Sequence, residues 1–464
     1  MRRRLLAISV TAALLMALLP AAAPAFSADD SFPGVPLPAS PVAGSLSPLG
    51  GDRDDVYSIP LAAGDELTLS LRADAGTDFT LALLNNDIGT LRDQDALFWF
   101  WQPGYPKETS YVVPDSLAAT YSVEVHSMDP SGTAGAYSLA WTKRHDKAAR
   151  LYGLDRLQTS VAVSRSSFVT ATTAIIASAA DYPDALAAAG LAGVLHAPVL
   201  LTQRGGLSDA VWRELQRLQV TEIKIIGSSS VVSNDVELAL GAPQPGGAGY
   251  DVERIAGPTR FETSRRVAER VKQLGGSSEV FLVSGRTYAD ALSVSPIAYA
   301  RKMPVVLTEP LLLSGEAAAA LASVGATHAV IAGSISAVSA AVASAAASRL
   351  AGNDTGGGHL VERWQGPTRF ATAVDVAEKA VGRGWASRAN VGLSTAWNFP
   401  DALGGGAAVG QRGGVMLFSD RLALTPATKS QLEAHKADVQ RVYLLGSASV
   451  LSETVRSNVI GGLQ

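Results

Sequence analysis

Three arginines sit in one recurring setting. Arg260 lies in Arg254-Ile-Ala-Gly257-Pro258-Thr259-Arg260-Phe261-Glu-Thr263-Ser264. Arg369 lies in Arg363-Trp-Gln-Gly366-Pro367-Thr368-Arg369-Phe370-Ala-Thr372-Ala373, and Arg156 in the more divergent Arg150-Leu-Tyr-Gly153-Leu-Asp155-Arg156-Leu157-Gln-Thr159-Ser160. Each of these opening motifs is followed by the same ordered set. An Asp comes before Ala-Leu (Asp184, Asp290, Asp401), then a hydroxyl at the end of an apolar run (Thr202, Thr308, Ser419), then a Gly-Ser-x-Ser turn (Ser228, Ser334, Ser447). Cationic side chains, hydroxyls and helix N-termini brought together are the groups that hold an anion. A second reading stays open for each. The Asp residues are good N-caps. An Arg early in a helix is disfavoured by the helix dipole, so it calls for either a carboxylate partner or an anionic ligand. A cation also recurs before the second strand (His196, Lys302, Arg412), where a helix C-terminus explains it as well as a ligand does.

Residues for bond-making chemistry do not assemble in the same way. None of the six histidines stands in a recognisable arrangement with an acid or nucleophile. The chain has no His-Glu-x-x-His zinc helix, Gly-x-Ser-x-Gly elbow, Walker A lysine loop or dinucleotide fingerprint after a strand. With no cysteine there is no thiolate metal site and no disulfide. Asp52, Asp54, Asp55 and Asp78 are calcium candidates, but they lack an EF-hand loop and read more simply as turn residues. The expectation is a non-enzymatic protein without cofactor or metal. A formal charge of −4 excludes a global grip on nucleic acid, so any contact with a polyanion must be local.

The opening motifs repeat at 254 − 150 = 104 and 363 − 254 = 109 residues, the size of a small domain rather than a solenoid unit. Strand and helix patterns alternate after each one. In the second copy they are a helix from Pro258 to Leu274, strands at 279–283, 304–308 and 328–332, and helices at 291–300, 315–324 and 339–350. Such alternation means βα crossovers and a parallel sheet, whose strand carboxyl ends line one ligand-binding edge. The Asp, Thr and Ser motifs all fall where a strand hands over to a helix. The expected α/β modules are 150–241, 252–351 and 361–462, each with its own parallel sheet.

The N-terminal part differs. Arg2 to Arg4, an apolar run from Leu5 to Leu19 and Ala23-Pro-Ala25 read as a signal peptide over 1–25. Its removal takes away three arginines and no acid, so the charge moves from −4 to −7. Residues 26–50 read as a flexible lead-in and 51–142 as a β-sandwich of short alternating strands. Trp99, Trp101, Tyr105 and Tyr111, with Phe98 and Phe100, are either core and loop packing or a stacking surface.

Taken together, the four ordered motifs resemble the cell wall binding repeat 2 family over about 150–460. Asp52-Arg-Asp54-Asp-Val-Tyr57, Ala63-Gly-Asp-Glu-Leu-Thr-Leu69 and Gly135-Ala-Tyr-Ser-Leu139 resemble the bacterial pre-peptidase C-terminal β-sandwich. The first resemblance implies three modules packed about a pseudo-threefold axis. It also implies non-covalent attachment to an anionic polymer of a Gram-positive cell wall. The signal-peptide pattern, with no later apolar stretch that reads as a transmembrane helix, gives the expectation of a secreted protein, a monomer with no membrane span once the signal is removed. The other readings are an adhesin or sugar-binding sandwich on an inert scaffold, and an unrecognised hydrolase.

Overall fold

The computed structural model describes residues 34–85, 96–99, 105–113, 119–128, 132–181, 183–243, 248–351, 360–398 and 400–464. The expected signal segment, Phe100 and Trp101 lie outside them. No helix among the described residues is long and apolar enough to cross a membrane.

Among the described residues nine strands build the N-terminal sandwich: β1 (Val35–Pro36), β2 (Val42–Leu46), β3 (Asp54–Leu61), β4 (Glu66–Ala73), β5 (Phe79–Asn85), β6 (Ala96–Trp99), β7 (Lys107–Val112), β8 (Ala119–Ser127) and β9 (Gly135–Arg144). One sheet runs β1-β3-β8-β5-β6 and the other β2-β9-β4-β7. Period-two alternation places Leu67, Leu69 and Leu71 of β4 against Tyr121, Val123 and Val125 of β8, all fully buried. The lead-in is therefore shorter than expected. β1 pairs with β3, and β2 pairs with β9 through Val42↔Leu139. Val42 and Leu46, four residues apart on one face, enter the core despite the Pro, Gly and Ser around them. Tyr105 and Tyr111 form no stacking surface. Tyr105 Oη accepts from Phe79 N at 2.9 Å, and Tyr111 is buried against Tyr121 with ring centroids 5.7 Å apart.

The three repeats share one element order. The first has β10 (Ala148–Leu151), α1 (Arg156–Ser167), β11 (Thr173–Ser178), α2 (Ala188–Leu195), β12 (Val199–Thr202), α3 (Asp209–Arg217), β13 (Glu222–Ile226) and α4 (Asn234–Gly241). The second has β14 (Asp251–Ile255), α5 (Arg260–Gln273), β15 (Glu279–Ser284), α6 (Ala289–Arg301), β16 (Val305–Thr308), α7 (Gly315–Ser323), β17 (His328–Ala332) and α8 (Ala340–Ala347). The third has β18 (Val361–Trp364), α9 (Arg369–Gly382), β19 (Asn390–Thr395), α10 (Pro400–Gln411), β20 (Val415–Ser419), α11 (Pro426–Ala434), β21 (Arg441–Leu445) and α12 (Glu453–Gly462). The strands β11, β12, β15 and β16 are almost continuously apolar, as strands covered on both faces must be.

Each repeat contributes three strands to its own four-stranded parallel sheet, and the fourth comes from elsewhere. The sheets run β12-β11-β13-β14, β16-β15-β17-β18 and β20-β19-β21-β10. The opening strand of the second repeat thus completes the first sheet, and that of the third completes the second. The opening strand of the first repeat closes the circuit on the third, with Ala148↔Val442 through Leu151↔Leu445. The expectation of a self-contained sheet in each module is corrected accordingly. Inside the circuit α2, α6 and α10 approach through small residues. A Cβ on Gly193 would meet Tyr299 O at 2.0 Å, and one on Gly410 would meet Pro296 O at 2.7 Å. Leu186, Leu292 and Leu403, at matching positions, line one cavity of about 10 Å³.

Candidate functional site

The first arginine of each opening motif fastens the exchanged strand. Arg254 donates from Nη1 to Gly227 O (2.8 Å) and Val232 O (2.9 Å), and from Nε to Glu237 (2.8 Å). Arg363 reaches Gly333 O and Val338 O, both at 2.7 Å, and Arg150 reaches Gly446 O at 2.9 Å and Glu453 at 3.0 Å. These are the turns after β13, β17 and β21, so each opening strand is locked to the Gly-Ser turn of the repeat that it completes. Each chain then turns into its helix. The amide of Gly153, Gly257 or Gly366 donates to the hydroxyl of Thr159, Thr263 or Thr372 at 3.0–3.1 Å. Asp155, Thr259 and Thr368 cap α1, α5 and α9. The helix expected from Pro258 therefore begins at Arg260, because Thr259 is the better cap.

The motif's second arginine crosses to the carboxyl end of β11, β15 or β19 in its own repeat. Arg156, Arg260 and Arg369 donate from Nη1 to Ala179 O, Gly285 O and Ala396 O, each at 2.8 Å. None of the three enters a salt bridge among the described residues. Across the module boundary each faces an aspartate of the preceding repeat in the circuit, Arg260 with Asp184, Arg369 with Asp290 and Arg156 with Asp401. The capping reading for these aspartates is corrected. Asp184 makes no side-chain cap bond, and Asp290 and Asp401 lie within the first turns of α6 and α10. They are turned instead onto the Gly-Ser loops. A Cβ on Gly333 or Gly446 would lie 2.5 Å from Oδ2 of Asp290 or Asp401, and φ there is +110° and +106°. Burial pushes the Asp290 and Asp401 carboxyls up to about 6, against the downward pull of Arg369 and Arg156. Burial raises Asp184 too, with Thr263 and Arg260 lowering it and Asp181 adding to the rise.

The other predicted residues divide into two groups. Ser228, Ser334 and Ser447 are at the clefts, each hydroxyl 2.7 Å from its partner at Ser230, Ser336 or Ser449. Thr202, Thr308 and Ser419 are fully buried and donate to carbonyls of their own loops, Gly206, Leu312 and Ala423. They shape the strand-end loops from inside. His196 and Lys302 are left-handed C-caps of α2 and α6, and Arg412 binds Ser166 O and Ser167 of the first repeat. In the sandwich the four calcium candidates do not converge. Asp55 is buried against Tyr137, and Asp78 lies 4.0 Å from Lys107. Asp54 pairs with His126, and with Glu124 these two are the described residues whose ligand atoms gather within 4.8 Å.

The result is a recurring cleft at the repeat boundaries, walled by an Asp and a Ser-x-Ser turn from one repeat and by the Gly-x-x-Arg segment of the next. Between the second and third repeats the cleft holds about 560 Å³, lined by Arg286, Asp290, Ser334, Ser336, Arg369 and Trp397 among others. Between the third and first it holds about 180 Å³, lined by Arg156, Asp401, Ser447 and Ser449 among others. The sequence placed these motifs at strand ends. It did not reveal that Arg and Asp of one cleft belong to different repeats, which follows from the strand exchange.

The family described as Cell wall binding domain 2 (CWB2) matches residues 150–237, 254–343 and 363–456. Among curated proteins, the N-acetylmuramoyl-L-alanine amidase LytC of Bacillus subtilis is 28% identical over 256 residues, 55% of this chain and 47% of the amidase. The amidase enhancer of the same organism is 33% identical over 201 residues, 42% of this chain and 27% of the enhancer. The chain thus spans less than half the length of either. Among solved structures, Cwp8 from Clostridium difficile has a TM-score of 0.58 at 24% identity, covering 68% of this chain and 52% of Cwp8. Cwp6 from the same organism has a TM-score of 0.60 at 16% identity, covering 88% and 68%. At these identities the likeness is one of fold. Three matched segments over more than half of the sequence, in the order and spacing of the three structural repeats, make the chain a member of the cell wall binding domain 2 family.

Proposed function

We propose that this is an exported surface protein held non-covalently on a Gram-positive cell wall, and that its inter-repeat clefts bind an anionic wall polymer. Membership of the family supports a cell-wall association. The observation that carries the finer reading is the threefold rebuilding of one polar set across module boundaries. Arg156, Arg260 and Arg369 are each fixed by one backbone carbonyl and face a carboxyl that is buried (Asp401) or half-buried (Asp184, Asp290) rather than an ion-pair partner. Guanidinium N–H groups beyond that carbonyl bond suit phosphate or carboxylate oxygens. An acidic chain then grips a polyanion through local contacts only. Each cleft needs two repeats, so the circuit yields three sites from three modules. Sites that weakly engage one repetitive polymer act together, and avidity exceeds a single site by about 10²–10⁴. This reading assigns no reaction to the protein.

The test is retention of the full chain by purified walls, before and after extraction of their anionic polymers, across a salt series. Retention should vanish with extraction and weaken with salt, because exposed charge contacts are screened. Arg260→Ala should weaken retention modestly, and adding Arg156→Ala and Arg369→Ala should weaken it in steps. A folded triple variant that binds like the parent would make these arginines structural.

A further inference from the structure

The three clefts are not chemically equal. The second residue after β11, β15 and β19 is Ala180, Arg286 and Trp397, respectively. Only the cleft between the second and third repeats has Trp397 beside its inward-facing arginine, Arg369, and Arg286 on the opposite wall. Trp397 is 59% exposed, unusual for the largest apolar side chain. It is nevertheless held in place. Its indole N–H donates to Asp420, Phe370 packs edge-on with centroids 6.1 Å apart, and the Arg369 guanidinium lies 4.5 Å over the ring. Arg286 is fixed to Glu309 through Nε at 2.8 Å and forms a wall. An exposed indole fixed on three sides loses little freedom on binding, and its open area borders a cavity of about 560 Å³, against about 180 Å³ next to the first repeat.

Resting on the polymer-binding reading above, the geometry points to the cleft between repeats two and three as the principal site, and to its ligand as a glycosyl unit bearing an anionic group. The C–H-rich face of the sugar stacks on Trp397, and the anion meets Arg369. The pairing is chemically consistent. A guanidinium over an indole is held by the ring quadrupole, so the same side chain that offers the stacking surface also aims the cation. The other clefts have the matching arginine without the indole. They take the anion and do not read the sugar.

Binding of the full chain should be measured by calorimetry against four defined probes. These are a phosphodiester-linked glycopolymer, a polygalacturonate, unsubstituted polyglycerol phosphate and neutral dextran. The first two separate phosphate from carboxylate as the source of the anion. The third lacks the sugar and the fourth the charge. Trp397→Ala should weaken binding of the preferred glycopolymer about tenfold or more, the scale of losing one aromatic anchor. Trp397→Phe should restore part of it, and binding of polyglycerol phosphate should hardly change. Ala180 is exposed at the matching position, so Ala180→Trp should strengthen glycopolymer binding by building a second platform. If the parent binds walls while Trp397→Ala stays within about twofold, the sugar-reading inference fails and the polymer-binding reading stands. Equal losses for the sugar-containing and sugar-free probes would show that Trp397 only positions Arg369, and would also overturn it. If the parent binds neither walls nor any probe, both readings fall.

Discussion

Glu66 of the sandwich and Arg456 of α12 form a two-pronged ion pair, with Nη1–Oε1 at 3.2 Å and Nη2–Oε2 at 2.6 Å and both side chains 4% exposed. The pair joins the N-terminal domain to the third repeat, whose sheet β10 completes. Its position is informative. Arg456 stands four residues after the cap Ser452, where the first repeat has Glu237 four residues after Ser233. Glu237 holds Arg254, whereas in the third repeat Glu453 takes over the equivalent Arg150 and leaves position 456 to the sandwich. Nearby, Arg441 donates to Gly64 O, and Ser110 to Arg150 O at 3.0 Å.

Breaking that pair should be costly, and replacing it should not. Arg456→Ala leaves a buried carboxylate without its partner and should destabilise by about 3–5 kcal/mol. The double change Glu66→Leu with Arg456→Met should come close to the parent, since a buried ion pair and a well-packed apolar pair are often nearly equal. Calorimetric melting of the three proteins decides this. Equal melting of Arg456→Ala and the parent would mean that the sandwich is not docked there.

Gly333 is expected to tolerate no side chain. Its φ of +110° disfavours L-residues, and an added Cβ would lie 2.5 Å from Asp290 Oδ2 and 3.0 Å from Ala337 Cβ. Gly333→Ala should cost about 1–3 kcal/mol. Adding Asp290→Ala should recover part of that cost, because the carboxylate clash goes while the backbone strain stays. A double variant no better than the single would assign the whole effect to the backbone. Melting temperatures of the two variants separate the contributions.

Wall binding should strengthen as pH falls through about 6, where the Asp290 and Asp401 carboxyls protonate. Ionised, each carboxylate offsets the arginine it faces and repels a polyanion. Neutral, it leaves the guanidinium charge uncompensated. Stability has a matching sign. The folded pKa is raised above the unfolded value of 3.8, so the folded state binds more protons between about 4 and 6. Stability should therefore fall as pH rises through that window. Asp290→Asn with Asp401→Asn should flatten both profiles. Unchanged slopes in retention and chemical denaturation would rule these two groups out as the cause.

The sequence showed the repeats, the order of strands and helices, and the strand-end location of the Asp and Ser motifs, because buried parallel strands and capped helices are written in local pattern. It did not show β10, β14 and β18. These strands are short and carry charged residues, as in Asp251-Val-Glu-Arg-Ile255 and Val361-Glu-Arg-Trp364. Their register is set by neighbours in another repeat, through Arg254, Arg363 and Arg150, and no local periodicity records that. The same non-local fact hid that Arg369 faces Asp290 across the boundary between repeats. Burial of Thr202, Thr308 and Ser419 was missed for a related reason. A hydroxyl at a strand end looks the same in sequence whether it faces a ligand or its own loop.

Closure of the circuit should depend on a strand of four residues. β10 pairs with β21 over Ala148–Leu151, and all four residues are buried. Two truncations separate its role from that of the sandwich. A chain starting at residue 146 keeps β10 and Arg150 but loses the Glu66–Arg456 pair. A chain starting at residue 153 loses β10 as well, which leaves β21 with one edge unpaired and Gly446 O without the Arg150 guanidinium. Exposed edges recruit other chains. The shorter protein should therefore associate more as concentration rises in sedimentation velocity. Its β21 amides, Val442 to Leu445, should exchange with solvent faster than in the longer one. A peptide spanning 146–153 supplied in trans should reverse both effects by filling the vacant edge. If the two truncations match in association and in β21 exchange, the third sheet does not need β10, and the closed circuit is not what holds the three clefts in place.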